Sequence, residues 1–288
     1  MTQQKETKLQ RFNKTLVHER TQKYLGDVLG EKKSSFVANV SALVSNNAKL
    51  QECDAITVLN AGIKATSLDL PLDQNLGFAY VIPYYDKHTK TTLAQFQLGY
   101  KAFIQLALRS GQIETINTRD VREGEIKGED FVSGEMIFER IKENRLKAKV
   151  IGYVGYFKMI NGFRKTLYMT MEEVEEHGKK YSKAYGFMWK SDFDAMAKKT
   201  VIKLLLSKYA PLSVEMQNAI SFDQAVFKDR NNPYYIDRPE VDGQEKARGI
   251  LDEAMGDDGK KEDKEKKETK SEETKTKTEP EGKINFGE

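Results

Sequence analysis

One cysteine, one tryptophan, three histidines and six prolines in 288 residues leave little room for several kinds of chemistry. A single thiol, Cys53, cannot close an internal disulfide, so the chain suits a reducing compartment and Cys53 is expected as a small buried hydrophobe. His18, His88 and His177 are too few and too scattered for a zinc set. No apolar run approaches the roughly 20 residues of a membrane span, and Met1 to Arg11 lacks the apolar centre of a secretory signal. A soluble, cytoplasmic protein without membrane contact is expected. Also missing is a glycine cluster followed by lysine and a hydroxyl residue, the string whose backbone amides cradle nucleotide phosphates.

What is present is charge, unevenly placed. Residues 251–288 hold nine lysines against thirteen acids, or −4, so the first 250 residues carry 38 basic against 31 acidic residues, or +7. From Gly256 onward almost nothing is apolar, so the segment cannot offset the entropy of ordering. Residues 231–288 are therefore expected as a disordered, charged C-terminal tail that competes with any anionic ligand for the basic body. Residues 1–33 are polar with scattered apolar positions and read as a flexible arm or a peripheral helix. Between them, residues 34–230 are expected as a single domain.

The pattern inside that domain changes period twice. Ser35 to Lys49 and Cys53 to Ser67 are helical, the second through Ile56, Leu59 and Ile63. In FAYVIPYYD, Phe78, Tyr80, Ile82 and Tyr84 alternate with Ala79, Val81, Pro83 and Tyr85, which predicts a strand with both faces largely covered or functional, and Pro83 places it at an edge or a bulge. TTLAQFQL follows as the second strand of a hairpin, with Gln95 and Gln97 on one polar face. Tyr100 to Arg109 is helical, Gly111 is its C-cap, and Lys101, Gln105 and Arg109 form a stripe at intervals of four. Strands are expected over Ile113 to Val121 and Glu135 to Ile141. A further hairpin pairs Lys147 to Ile160 with Phe163 to Met169 through Asn161 and Gly162, residues that tolerate the positive dihedrals of a tight turn. Gly152 and Gly155 inside it indicate a bulge or a close backbone approach. Thr170 and Glu173 form a capping box, and the last helices begin near Ser191 and Ser213. The order predicts an α+β fold: a largely antiparallel β-sheet with hairpins packed against helices, and helical N- and C-terminal parts.

Two stretches carry cations in a pattern that fits a phosphate backbone. WKSDFDAMAKKTVIKLLLSKYAPL places Phe193, Met196, Ala197, Thr200, Val201 and Leu204 on one helical face and Lys199 and Lys203 one turn apart on another, with Lys198 and Lys208 flanking the apolar stripe. KKYSKAYGFMWK interleaves Tyr181, Tyr185, Phe187 and Trp189 with four lysines, as in single-strand binders whose aromatics stack on bases. Phe187 and Trp189 lead into a buried helix and are expected in the core. Lys87 and Lys90 flank a hairpin loop, where His88 reads as a surface contact. Acidic groups offer little catalysis: Glu172, Glu173, Asp192 and Asp194 sit at helix starts, where capping explains them. Asp69, Asp73 and Asp86 leave a metal-dependent nuclease as a minor alternative, beside an RNA chaperone and a general single-strand binding module.

Three ordered stretches, LDLPLDQNLGFAYVIPYYD, QFQLGYKAFIQLALRSGQ and WKSDFDAMAKKTVIKLLLSKYAPLS, resemble the RecT family of phage single-strand annealing recombinases, over roughly residues 30–225. The likeness is to prophage members from Gram-positive hosts. It implies annealing of complementary single-stranded DNA without ATP or another required cofactor, assembly into rings or helical filaments, and partnership with a phage exonuclease and the host single-strand binding protein. A divalent cation is expected only to modulate DNA binding. Carried onto this chain, the motifs place DNA contacts at Lys198, Lys199 and Lys203, and at Gln95, Gln97, Lys101 and Arg109. The hairpin-helix and the lysine helix would then form opposite walls of one groove; the alternative for the QFQ strand is a subunit edge.

Overall fold

The computed structural model describes residues 6–87, 89–182, 185–229 and 232–235, without the side chains of Phe187 and Met188. His88 and the acidic tail from residue 236 onward lie outside the described residues.

Of the two expectations for residues 1–33, a flexible arm or a peripheral helix, the described part is helical. It folds as α1 (Lys8–Val17) and α2 (Glu19–Leu29), and Phe12, Leu16 and Leu25 are buried in the main core. Thr7 caps α1 through a capping box with Gln10, which satisfies two otherwise orphaned backbone amides. α3 (Lys33–Ser45) and α4 (Ala55–Ser67) follow where their periodicity predicts. Asp54 caps α4 by accepting from Ile56 and Thr57. Beside that cap, burial and then Glu52 and Asp54 push the Cys53 thiol up to about 12. Since the thiolate is the reactive form, Cys53 is expected to alkylate on the order of a hundredfold more slowly than a free thiol near neutral pH, measured by mass spectrometry of the native protein against the unfolded one.

β1 (Ala79–Asp86) and β2 (Thr91–Leu98) form the expected hairpin. It lies in a four-stranded antiparallel sheet of order β1-β2-β8-β9, completed by β8 (Ala225–Phe227) and β9 (Pro233–Tyr234). Pro83 therefore sits on an edge strand, where its missing amide costs no ladder bond. β2 is interior instead, with Gln95 opposite Ile82 on one side and Val226 on the other. That corrects the reading of the QFQ strand as a subunit edge. β9 and the buried Tyr235, whose hydroxyl donates to the Ser221 carbonyl, also carry ordered structure past residue 230.

The second sheet has order β3-β6-β7, from β3 (Ile113–Arg122), β6 (Val150–Met159) and β7 (Arg164–Thr170). Only Gly162 takes a positive φ in the β6–β7 turn, at +90°, so Asn161 does not form the two-residue turn its sequence suggests. A separate hairpin pairs β4 (Ile126–Asp130) with β5 (Glu135–Phe138); the strand expected over Glu135 to Ile141 supplies β5, while β4 was not legible in the periodicity. Four further α-helices are described: α5 (Tyr100–Arg109), α6 (Met171–Tyr181), α7 (Phe193–Tyr209) and α8 (Val214–Phe222). The Thr170–Glu173 capping box starts α6 as predicted.

α7 lies across the second sheet. A Cβ on Gly155 would stand 3.1 Å from both Val201 and Leu205, so glycine lets the helix axis approach the strand closely. A Cβ on Gly152 would meet the Met169 carbonyl at 2.3 Å, the same close approach made by the neighbouring strand. One core unites both sheets and most helices, with Phe96, Phe103, Phe157 and Phe227 fully buried; each such side chain contributes about 1.5–3 kcal/mol.

Candidate nucleic-acid interface

α7 is buried on more than one side, which decides the fate of its lysines. Ala197, Lys199, Thr200, Val201, Ile202, Leu205, Leu206 and Ser207 are all buried, while Leu204 is only partly so. Lys199 donates to Asp223 Oδ1 at 2.8 Å and Lys203 to Asp223 Oδ2 at 2.8 Å. The Leu98 amide adds a third bond to Oδ1 at 3.0 Å. Burial pushes the Asp223 carboxyl up, but Lys199, Lys203 and the Leu98 amide more than reverse this and hold it below its ordinary range. Burial in turn holds the Lys199 ammonium below its ordinary value, against the pull of Asp223.

Lys199 is 5% exposed, and an ammonium that meets a phosphate must reach solvent. The expectation of Lys199 as an open DNA contact is therefore corrected: with Lys203 it braces α7 to the β2–α5 junction. The two predicted walls do converge here. Gln97 Nε2 donates to Gln95 Oε1, and Gln95 Nε2 donates to the carbonyl of Gln224, each at 2.7 Å. Both glutamines are buried, so the polar face expected to stand open forms an internal chain of hydrogen bonds.

The other predicted residues are dispersed. Lys101 Nζ donates to the Leu76 carbonyl, and Arg109 donates to the carbonyls of Leu68 and Asp69, so the α5 stripe clips the segment that leads into β1. Gln105 is half-buried between them. Lys198 pairs with Asp194 one turn back. Lys208 is exposed beside the Tyr209 ring, and Lys87 and Lys90 are exposed at the β1–β2 turn. Tyr181 packs against His177 at 4.6 Å between ring centroids, and Tyr185 against the buried Trp189 at 5.4 Å.

A surface that residue-by-residue reasoning passed over lies on the outer face of β1. Tyr80, Ile82 and Tyr84 are half-buried there, directly across from Gln97, Gln95 and Leu93. Val81 and Phe96 on the opposite face are core. Lys101 borders Gly77 beside the Tyr80 hydroxyl. At the far end Lys228 Nζ stands 4.2 Å from the Tyr234 ring centroid and 3.8 Å from the buried Asp86. The alternation of Tyr80, Ile82 and Tyr84 was visible in the sequence; that this face is buried along β2 and half-buried along the edge strand β1 was not.

Among the described residues no three His, Cys, Asp or Glu side chains gather to hold a metal ion, and no helix is long and apolar enough to cross a membrane. The fold thus defines a class: an α+β protein whose helices pack on antiparallel sheets. The chain belongs to the RecT family, whose model matches residues 34–236. It is 47% identical over 194 residues to an uncharacterized protein, YqaK, of Bacillus subtilis (strain 168), covering 67% of this chain and 65% of that one. It is 33% identical over 177 residues to Protein RecT of Escherichia coli (strain K12), covering 61% and 65% respectively. The chain thus spans just under two thirds of the length of these curated relatives, at 65% in each case.

Proposed function

We propose that this protein anneals complementary DNA strands without nucleotide hydrolysis or covalent chemistry, working as a self-assembled recombination protein in the cytoplasm of a bacterial host. The observation that carries the reading is the RecT-family match over residues 34–236, which spans both sheets and helices α3 to α8.

The geometry supports a mechanism. Tyr80 and Tyr84, four residues apart on one strand face, stand about 13 Å apart, roughly four times the 3.4 Å rise per base of B-DNA. Bases that stack on Tyr80 and Tyr84 would be held apart, with their pairing edges free for a second strand, while Lys101, Lys228, Lys87 and Lys90 neutralise phosphates. Lys198 and Lys208 extend that charge along α7. Sequence is then read by base pairing alone. A +7 body suits this task, since weakly basic subunits bind a strand firmly once several act together. No cofactor is required in this reading; a divalent cation modulates DNA binding by screening phosphates, and a phage exonuclease and the host single-strand binding protein supply and hand over the strands.

Two complementary dye-labelled oligonucleotides mixed with the protein, without ATP, test the proposal. Faster duplex formation than in buffer, absent with non-complementary strands, is the expected result. Binding without acceleration would reduce the protein to a strand-coating module. In the same assay Tyr80→Ala/Tyr84→Ala is expected to weaken single-strand binding about 10-fold or more, since each stacked base contributes about 1–3 kcal/mol. Unchanged affinity would remove this face from the interface.

A further inference from the structure

The β4–β5 hairpin has a tip that its own subunit does not use. Phe131 is 99% and Val132 93% exposed, and Ile137 is 54% exposed. The turn is nevertheless built firmly: Asp130 Oδ1 accepts from the Val132 and Ser133 amides and from the Ser133 hydroxyl, and the Gly134 amide donates to the Asp130 carbonyl at 2.8 Å. An Asx-type turn of this kind fixes the direction of the residues it carries. The hairpin is held at both ends, since Arg145 pairs with Glu125 just before its base and Arg164 with Glu135 next to the turn. Two large apolar side chains are thus presented to solvent on an ordered support, the usual mark of a contact surface.

Charge selects the occupant. Residues 123–139 contain six acids and one lysine, a net −5, of which Arg145 and Arg164 from outside the segment offset two, while the remainder of the first 250 residues carries +12. Glu129 and Asp130 flank the apolar tip and make no ion pair among the described residues. Such a tip is repelled by a phosphate backbone and attracted to a basic protein surface, and this chain's own body is one. We infer that the β4–β5 hairpin is a knob that docks on the basic body of a second copy of this chain. Knob and socket are different surfaces, so the contact is heterologous and propagates from subunit to subunit into a ring or an open filament. The inference rests on the self-assembly proposed above.

The test is the size distribution of the full chain, by mass photometry over a range of protein and salt concentrations, for wild type and Phe131→Ser/Val132→Ser. Both positions are exposed, so the fold is retained, which circular dichroism checks. The expected result is that the variant needs at least about 10-fold more protein to assemble, and that wild-type assembly weakens with salt, while the variant monomer binds a short oligonucleotide as wild type does. Unchanged assembly of the variant overturns the inference but leaves self-assembly standing. Absence of assembly in the wild type overturns both. Loss of oligonucleotide binding with unchanged assembly also overturns it and reassigns the tip to DNA. In a second arm, Phe131→p-benzoylphenylalanine is expected to photo-crosslink to another copy of the chain; a crosslink to DNA in its place counts against the inference.

Discussion

Replacing Asp223 by Ala is expected to lower stability by about 3–5 kcal/mol and the melting temperature by roughly 10 °C. The loss has a specific origin. Asp223 receives Lys199, Lys203 and the Leu98 amide, and its removal strands two ammonium groups in a space that excludes water. Replacing all three side chains together, Asp223→Leu with Lys199→Met and Lys203→Met, is expected to restore most of the loss, because an apolar cluster of similar volume carries no desolvation cost. Only the Leu98 amide then lacks its acceptor, at about 1 kcal/mol. Urea denaturation of the two variants checks this, and equal destabilisation of both would show that the ion cluster itself is stabilising.

The same group sets an acid limit. The folded Asp223 carboxyl lies below its ordinary value of 3.8, so its contribution is complete above about pH 4 and disappears as pH falls from there through the lower folded value. Asp120 and Glu125 are shifted in the same direction. Wild type is therefore expected to lose stability steeply below about pH 4, and the apolar triple variant less steeply, in denaturation curves at pH 7, 5 and 3.

Arg145→Ala is the second large effect. Its guanidinium donates to Glu125 at 2.6 and 2.9 Å, to both Asp120 carboxylate oxygens at 3.2 Å and to the Asp120 carbonyl at 2.7 Å. Arg122 completes the cluster through Asp120 at 2.6 Å and the carbonyls of Leu146 and Ala148. These bonds tie the end of β3, the base of the β4–β5 hairpin and the segment before β6 into one unit. Removing Arg145 leaves two mostly buried carboxylates short of partners, at a cost of about 2–3 kcal/mol. Hydrogen exchange is expected to rise first over residues 123–148, before the core opens, and assembly should weaken in parallel if the hairpin is the knob. Uniform exchange across the chain would show instead that the cluster supports the whole fold.

Much of the architecture was legible from periodicity. The β1–β2 and β6–β7 hairpins, the capping box at Thr170 and helices α3 to α8 follow from local pattern and end signals, because each is stabilised by neighbours close in the chain. Of the β4–β5 hairpin only the second strand was anticipated, over Glu135 to Ile141; β4 escaped notice since it is short, largely exposed and polar, leaving no alternation to detect. The site was less legible for a different reason. Lysines at intervals of four on α7 look the same whether they face solvent or a carboxylate 20–24 residues away.

By itself the sequence determined the family, the α+β class, the lack of any disulfide within the chain and the division into a basic body and an acidic tail, because these depend on composition and local order. Tertiary structure alone decided that Lys199 and Lys203 brace α7 while Tyr80 and Tyr84 are half-buried on the edge strand β1. Exposure and ion pairing belong to the space around a side chain, and that space is filled by Asp223, Gln95 and Gln97 from elements distant in the chain. Local periodicity carries no information about them.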